Sequence, residues 1–140
     1  MGWQDRHLHN FRFGSQTFGT QIDDYPSDEL DEAQMTLQRA IGDGRRFRYV
    51  YDFGDDWVHE VVVEDVVTTR NALRSAVCVD GQSACPPEDC GGPPGYAELL
   101  EVLGDPGHED HDRLARWTGV PIDPATFDLA TANVALQRLH

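Results

Sequence analysis

Lysine is absent: all 11 basic side chains are arginine, against 25 acidic ones, giving a formal net charge of −14 over 140 residues. A field of that sign repels phosphate backbones, whose binding rests on counterion release by Lys and Arg, so generic nucleic-acid binding is disfavoured. The missing lysine also removes the strand ion pair of a protein kinase, and neither a glycine-rich loop nor a catalytic-loop pattern accompanies Asp52-Phe53-Gly54. No Gly-x-Ser-x-Gly, His-Glu-x-x-His or phosphate-loop pattern occurs, which excludes the commonest hydrolase and nucleotidase designs. Apolar runs last only a few residues, far short of the roughly 20 that cross a bilayer, and the N-terminus lacks a secretory pattern. The expectation is a soluble, cytoplasmic protein with no membrane partner. Cysteine is scarce: Cys78, Cys85 and Cys90 share a 13-residue window, and an odd count without a secretion signal argues against a disulfide framework.

What is present suits one domain over residues 1–140, with 39% hydrophobic residues to supply a core. In His7-Leu8-His9-Asn10-Phe11-Arg12-Phe13, alternation places His9, Phe11 and Phe13 on one face of a strand, and Gly14-Ser15 turns the chain into a short run from Gln16 to Thr20. Residues 23–28 read as a polar loop. Leu30, Ala33, Leu37, Ala40 and Ile41 then recur at helical spacing, with Ser27 or Asp28 as N-cap and Gly42 as stop. Met35-Thr36-Leu37 reads alternatively as the start of a short strand. Phe47, Tyr49 and Tyr51 alternate up one strand, and Trp57, His59, Val61 and Val63 alternate down the next, so this stretch predicts a β-hairpin. Its second strand, Val-rich to about Val67 and free of Pro and Gly, reads as central in the sheet.

From about Thr68 to Gly95 the chain carries Pro86-Pro87, Gly91-Gly92 and Pro93-Pro94-Gly95, and such a long irregular loop must be pinned by something. Helices are predicted at Tyr96–Leu103, from Pro106-Gly107 to Trp117, and after Asp123-Pro124 with Asp123 as N-cap. Phe127, Leu129, Val134, Leu136 and Leu139 are the last helix's candidates for burial. Strands first and helices later define an α+β fold, a small antiparallel sheet with a prominent hairpin, packed by C-terminal helices and carrying a long Pro/Gly-rich loop.

Three constellations could carry chemistry. Cys78, Cys85 and Cys90 with His59 supply thiolate and imidazole ligands for a zinc ion, although the spacing lacks a close Cys-x2-Cys pair; the same residues also read as small buried hydrophobes and a sheet histidine. Glu88-Asp89, fixed between Pro86-Pro87 and Gly91-Gly92, could hold a cation or a basic partner, or cap loop amides. Asp52 or Asp55 reads as an acceptor of turn amides, with Gly54 at positive φ. Arg45, Arg46 and Arg48 alternate with Phe47 and Tyr49, a form that can follow a single nucleic-acid strand or simply be the solvated face of a strand.

Gly2-Trp3, His7-Leu8-His9-x-Phe11, Tyr49-x-Tyr51-Asp52-Phe53-Gly54-Asp55-x-Trp57-x-His59, Cys78-x-x-Gly81 and Cys85-Pro86-Pro87-Glu88-Asp89-Cys90-Gly91-Gly92 follow one another in an order that resembles the plasmid pRiA4b ORF-3-like family. The resemblance continues through Asp105-Pro106-x-His108, Trp117-x-Gly119, Asp123-Pro124 and Phe127-Asp128. It implies a single α+β domain of mobile-element type, and some members carry a resolvase label. A recombinase needs a nucleophile beside activating arginines and a basic DNA-binding module, which a chain at −14 without a helix-turn-helix does not offer. The resemblance also implies an N-terminal strand pair and helix ahead of Gly2-Trp3, so self-association through an uncovered edge is expected. The functional expectation is a non-catalytic binding or accessory module with a polar site at His7, His9, Asp52, Asp55, His59, Glu88 and Asp89, where the first strand, the hairpin turn and the Pro/Gly-rich loop converge at one end of a sheet. The alternatives are a metal-dependent hydrolase or nuclease built on the His and carboxylate groups, and a DNA-associated transposon passenger protein.

Overall fold

Alternating aromatic residues decide where the sheet forms. In the computed structural model, which describes residues 2–22, 27–68 and 76–138, strands β1 (His9–Phe13) and β2 (Gln16–Gly19) form a hairpin, followed by the two-residue strand β3 (Leu30–Asp31). The predicted hairpin is β4 (Arg46–Tyr51) and β5 (Trp57–Val62). The five strands lie in the order β3-β2-β1-β4-β5, antiparallel except for the β2–β3 pair. Between β1 and β2 the turn is only Gly14-Ser15, and the left-handed φ of 58° at Gly14 is what a two-residue hairpin loop requires. The register sets Phe11 opposite both Phe18 and Tyr49, and Tyr49 opposite His59. One face therefore carries His9, Phe11, Phe13, Phe18, Phe47, Tyr49, Tyr51, Trp57 and His59, because side chains alternate with period two.

The opposite face holds Val50, fully buried, and Asn10, 4% exposed. Asn10 meets the requirement that buried amides be bonded, donating to Glu29 Oε1 at 2.7 Å and accepting from Arg12 Nε at 3.1 Å.

Three expectations for this region are corrected. The helix predicted from Leu30 is broken up: Leu30 pairs with Phe18 in β3, Asp31 caps a single 3-10 turn at Glu32–Gln34, and Thr36 caps a second start, the short helix α1 (Leu37–Ile41). Two competing capping side chains five residues apart divide what apolar spacing alone reads as one helix. The strand beginning at Trp57 ends at Val62 rather than near Val67, and it lies at the edge of the described sheet, not at its centre. In the β4–β5 turn the left-handed residues are Asp52 (φ 57°) and Asp56 (φ 53°), not Gly54. Asp tolerates this conformation because its short side chain bonds locally.

The chain divides into two compact units, residues 5–68 with the sheet, and residues 1–4 with 69–140. The second unit contains α2 (Gly92–Gly104), α3 (His111–Thr118) and α4 (Leu129–Gln137). Helix α2 starts earlier than predicted because Pro93 and Pro94 occupy its first turn, where no backbone N–H is needed. Its core residues Leu99 and Val102 are 4% and 5% exposed. Helix α3 starts later, after the Asp105–Asp110 turns, and ends as expected at left-handed Gly119. The last helix is capped by Asp128 rather than Asp123: Asp123 closes one isolated turn through Ala125 N and Thr126 Oγ1, whereas Asp128 takes both Thr131 N and Thr131 Oγ1. Leu129 and Val134 are exposed, contrary to the prediction, while Phe127 and Leu136 are half-buried; Leu139 and residues 23–26 and 69–75 of the predicted loops lie outside the described residues.

Long-range hydrogen bonds pin the irregular segment before α2. Asn133 brackets Cys78, accepting from its N–H and donating to its carbonyl, both at 2.9 Å. Ala84 N–H donates to Pro124 O at 3.1 Å, and Trp3 Nε1 donates to Pro86 O at 2.9 Å. A side chain at Gly81 would place its Cβ 2.4 Å from the Phe127 ring, so this position must be glycine while Phe127 packs there.

Candidate functional site

The aromatic face of the sheet divides into an apolar end and a polar end. At the apolar end Phe13 stacks on Phe47 with centroids 4.8 Å apart and meets Phe18 edge-on at 5.8 Å, while Phe11 tilts against Phe47 at 6.4 Å. Offset and edge-on arrangements of this kind are favoured by the ring quadrupoles. The segment after β3 crosses over these rings, and between them lies a half-open cleft of about 290 Å³, lined by Phe11, Phe13, Phe18, Phe47, Met35, Thr36, Leu37, Ala40 and Glu32. Among the described residues Glu32 is the one charged residue in this lining. Its Oε1 accepts from Thr20 Oγ1 at 2.9 Å, and its Oε2 lies 3.2 Å from His9 Nε2.

Beyond Glu32 the face turns polar. His9 Nδ1 lies 4.0 Å from Asp5, so each ring nitrogen faces a carboxylate. Tyr49 sits among the rings of Phe11 (5.1 Å), His9 (5.6 Å) and His59 (5.6 Å). Burial, and then the negative charges at Asp5 and Glu32 together with Tyr51, push the Tyr49 phenol above its usual value of 10.0. His59 is 3.1 Å from the Tyr49 carbonyl through Nδ1.

At the turn end of the same unit, His7 Nε2 approaches Asp52 Oδ2 at 3.6 Å, and the His7 ring meets Tyr51 edge-on at 5.9 Å. The other Asp52 oxygen accepts from Gly54 N at 2.9 Å and Asp55 N at 3.2 Å, the amide-accepting role expected of Asp52 or Asp55. Five predicted site residues, His7, His9, Asp52, Asp55 and His59, thus belong to the sheet unit. His7 and Asp52 come together, while His9 belongs with Glu32 and Asp5. Glu88 and Asp89 belong to the other unit, where Glu88 Oε1 accepts from Gln4 N at 2.7 Å and Asp89 takes a left-handed φ of 57°.

The three cysteines lie in the helical unit, and among its described residues they do not gather as a set of three ligand atoms. Cys78 Sγ donates to Asp80 O at 3.3 Å. Burial pushes the Cys85 thiol above its usual 9.0 and, followed by the charges of Cys90 and Cys85, raises the Tyr96 phenol. In the arginine stripe, Arg48 pairs with Glu60, and Arg45 Nη1 donates to Glu64 O at 2.8 Å.

The sequence reading missed Glu32, Met35 and Leu37, because it assigned them to one amphipathic helix. The available signal was Asp31 and Thr36, both strong caps within that stretch. Among the described residues no helix is long and apolar enough to cross a membrane.

Taken together these features define an α+β protein with a mostly antiparallel five-stranded sheet, one face of which carries an aromatic cleft. The chain belongs to the plasmid pRiA4b ORF-3-like protein family, whose sequence profile matches residues 1–131 and so spans both units. It is similar to the uncharacterized protein y4hQ of Sinorhizobium fredii, with 35% identity over 135 residues, 95% of this chain and 67% of the relative. It is also similar to the crystal structure of the protein of unknown function MM3350 from Methanosarcina mazei, with a TM-score of 0.80 and 32% identity over 94% of this chain and 75% of that one.

Proposed function

We propose that the chain is a binding module without catalysis of its own, and that its site is the aromatic cleft ending at Glu32. The observation that carries this reading is the contrast within one concavity: four Phe rings and three aliphatic side chains form the walls, and a single carboxylate, held by Thr20 and His9, stands at one end. Small-molecule sites have this composition, mostly apolar with a few placed polar groups, and begin at about 300 Å³. An accessory role on nucleic acid is less favoured, since Arg48 is engaged by Glu60 and Arg45 by backbone carbonyls on a chain at −14.

An NMR titration with a neutral ring-bearing alcohol, 4-phenylbutanol, tests the reading. Saturable shifts at the Met35 methyl and Ala40 methyl, absent from Val134 on α4, are expected; a titration that moves no cleft resonance would sink it.

The His7–Asp52 approach supports a second reading, a metal-dependent hydrolase, since imidazole and carboxylate suit a divalent ion. Elemental analysis of protein purified without chelator separates the two. A stoichiometric, exchangeable ion lost in His7→Ala would favour the hydrolase.

A further inference from the structure

Resting on the cleft reading above, we infer that the cleft selects a small organic cation, an amine carried on a ring or short alkyl body, with Glu32 as the group that recognises its charge. The argument is one of complementarity. Among the described residues Glu32 is the only charged side chain lining the cavity, and the imidazole against it, His9, stands outside that lining. Its carboxylate is already oriented: Thr20 Oγ1 donates to Oε1 and His9 Nε2 lies against Oε2, which fixes the group while leaving further lone pairs on both oxygens. A preset carboxylate loses little conformational entropy when it takes an ammonium, the main advantage of a site built before its ligand arrives.

The surroundings point the same way. Asp5 lies on the far side of His9, and the Tyr49 phenol, raised above its usual value first by burial, is raised further by the charges at Asp5 and Glu32. Phe11 and Tyr49 offer ring faces close by, and a cation over such a face gains further attraction. A carboxylate ligand would be repelled by Glu32, and a bare ammonium would leave the Phe13–Phe47 end of the cleft unfilled. The ligand therefore needs both parts. The concavity, at about 290 Å³, is of a size for one such molecule.

The test is a matched series, 4-phenylbutylamine, 4-phenylbutanol and 4-phenylbutyrate, titrated into the full chain and into Glu32→Gln at low salt, with affinities read by NMR shifts of the Met35 and Ala40 methyls. The amine is expected to bind about tenfold more tightly than the alcohol, as one charge-assisted hydrogen bond implies. The butyrate should bind more weakly than the alcohol. Glu32→Gln, which keeps the side chain's shape, should weaken the amine far more than the alcohol and so remove most of the preference for the amine; the preference should also shrink as salt is raised. If amine and alcohol bind equally, the cation inference is overturned while the cleft reading stands. If none of the three binds, the cleft reading itself fails. If light scattering shows a dimer and the three compounds move no cleft resonance, the cleft is covered by a second copy of the chain, and both are overturned.

Discussion

Phe47→Ala is the substitution that asks whether the cleft is open in solution or closes into an ordinary core. Phe47 is 8% exposed and stacked on Phe13, so by burial alone it is a core residue. Removing a buried Phe ring typically costs about 3–5 kcal/mol, the upper part of that range reflecting the cavity left behind. Beside Phe47 a space of about 290 Å³ already communicates with solvent. Water can fill the enlarged cleft, so the cavity contribution is small and the cost should sit near ~3 kcal/mol, or about 0.5 kcal/mol for each of the six ring carbons lost. Val50 on the opposite face is the control, because it is fully buried and packed. Val50→Ala removes two methyls from a closed site, and at about 0.8 kcal/mol each plus a cavity penalty it should cost ~2–3 kcal/mol, more than 1 kcal/mol per carbon. Amide hydrogen exchange of the β4 residues gives the free energy of opening the sheet directly for each variant. A Phe47→Ala cost near ~5 kcal/mol, the top of the range for a buried ring, would mean that Phe47 belongs to a closed core and that the cleft does not exist in solution.

Two further expectations concern pH. The Tyr49 phenol should titrate above 10.0, seen as the component of the ultraviolet phenolate transition that Tyr49→Phe removes, and Asp5→Asn or Glu32→Gln should bring it back toward the usual value. The folded value is raised, so the folded sheet holds this proton more tightly than the unfolded chain: stability is unchanged below pH 10.0 and falls as pH rises through the raised value. In the helical unit, hydrogen bonds from Thr131 to Asp128 and from Thr126 and Ala125 to Asp123 hold both carboxyls below the ordinary 3.8. The unfolded chain binds these protons first, so this stabilisation is present above pH 3.8 and lost as pH falls through the lowered values. Helical circular dichroism should fall over that window, and Asp128→Ala should begin the loss already deprived of the cap. A curve identical to the parent's would contradict the capping assignment.

What could be read from the sequence follows the range of the forces involved. The aromatic alternation of β1, β4 and β5 was legible because period-two burial is written in adjacent residues, and the register confirms which side chains share a face. The β5 strand's position at the sheet edge was not, because Val-rich composition describes a buried face and says nothing about which neighbour a strand acquires. The stretch from Leu30 to Ile41 failed for the opposite reason. Its apolar spacing is helical, but Asp31 and Thr36 each bond a backbone amide two or three residues on, and those local bonds outweigh a weakly amphipathic pattern. Within the polar cluster, His7 with Asp52 was partly legible through the motif around the hairpin. The pairing of His9 with Glu32 depends on the return of the chain along β3, which no local pattern encodes.

The densest motif in the chain and the aromatic cleft belong to different units. In Cys85-Pro86-Pro87-Glu88-Asp89-Cys90-Gly91-Gly92, the Pro86 carbonyl receives Trp3, Glu88 receives the Gln4 amide, and Asp89, Gly91 and Gly92 all take positive φ to turn the chain into α2. Gly95 one turn later would place a Cβ 2.1 Å from the Cys90 carbonyl oxygen, so the helix can approach that turn only without a side chain there. These residues therefore have architectural reasons for their identity, and the α2 entry would demand most of them whatever the protein binds. Glu32 and Leu37 are under less backbone constraint: Leu37 is 54% exposed, and the Glu32 side chain caps no helix. Substitutions at Glu32 and Leu37 are accordingly the ones that can alter binding while leaving the fold intact, whereas substitutions in the Cys85–Gly92 segment report first on folding.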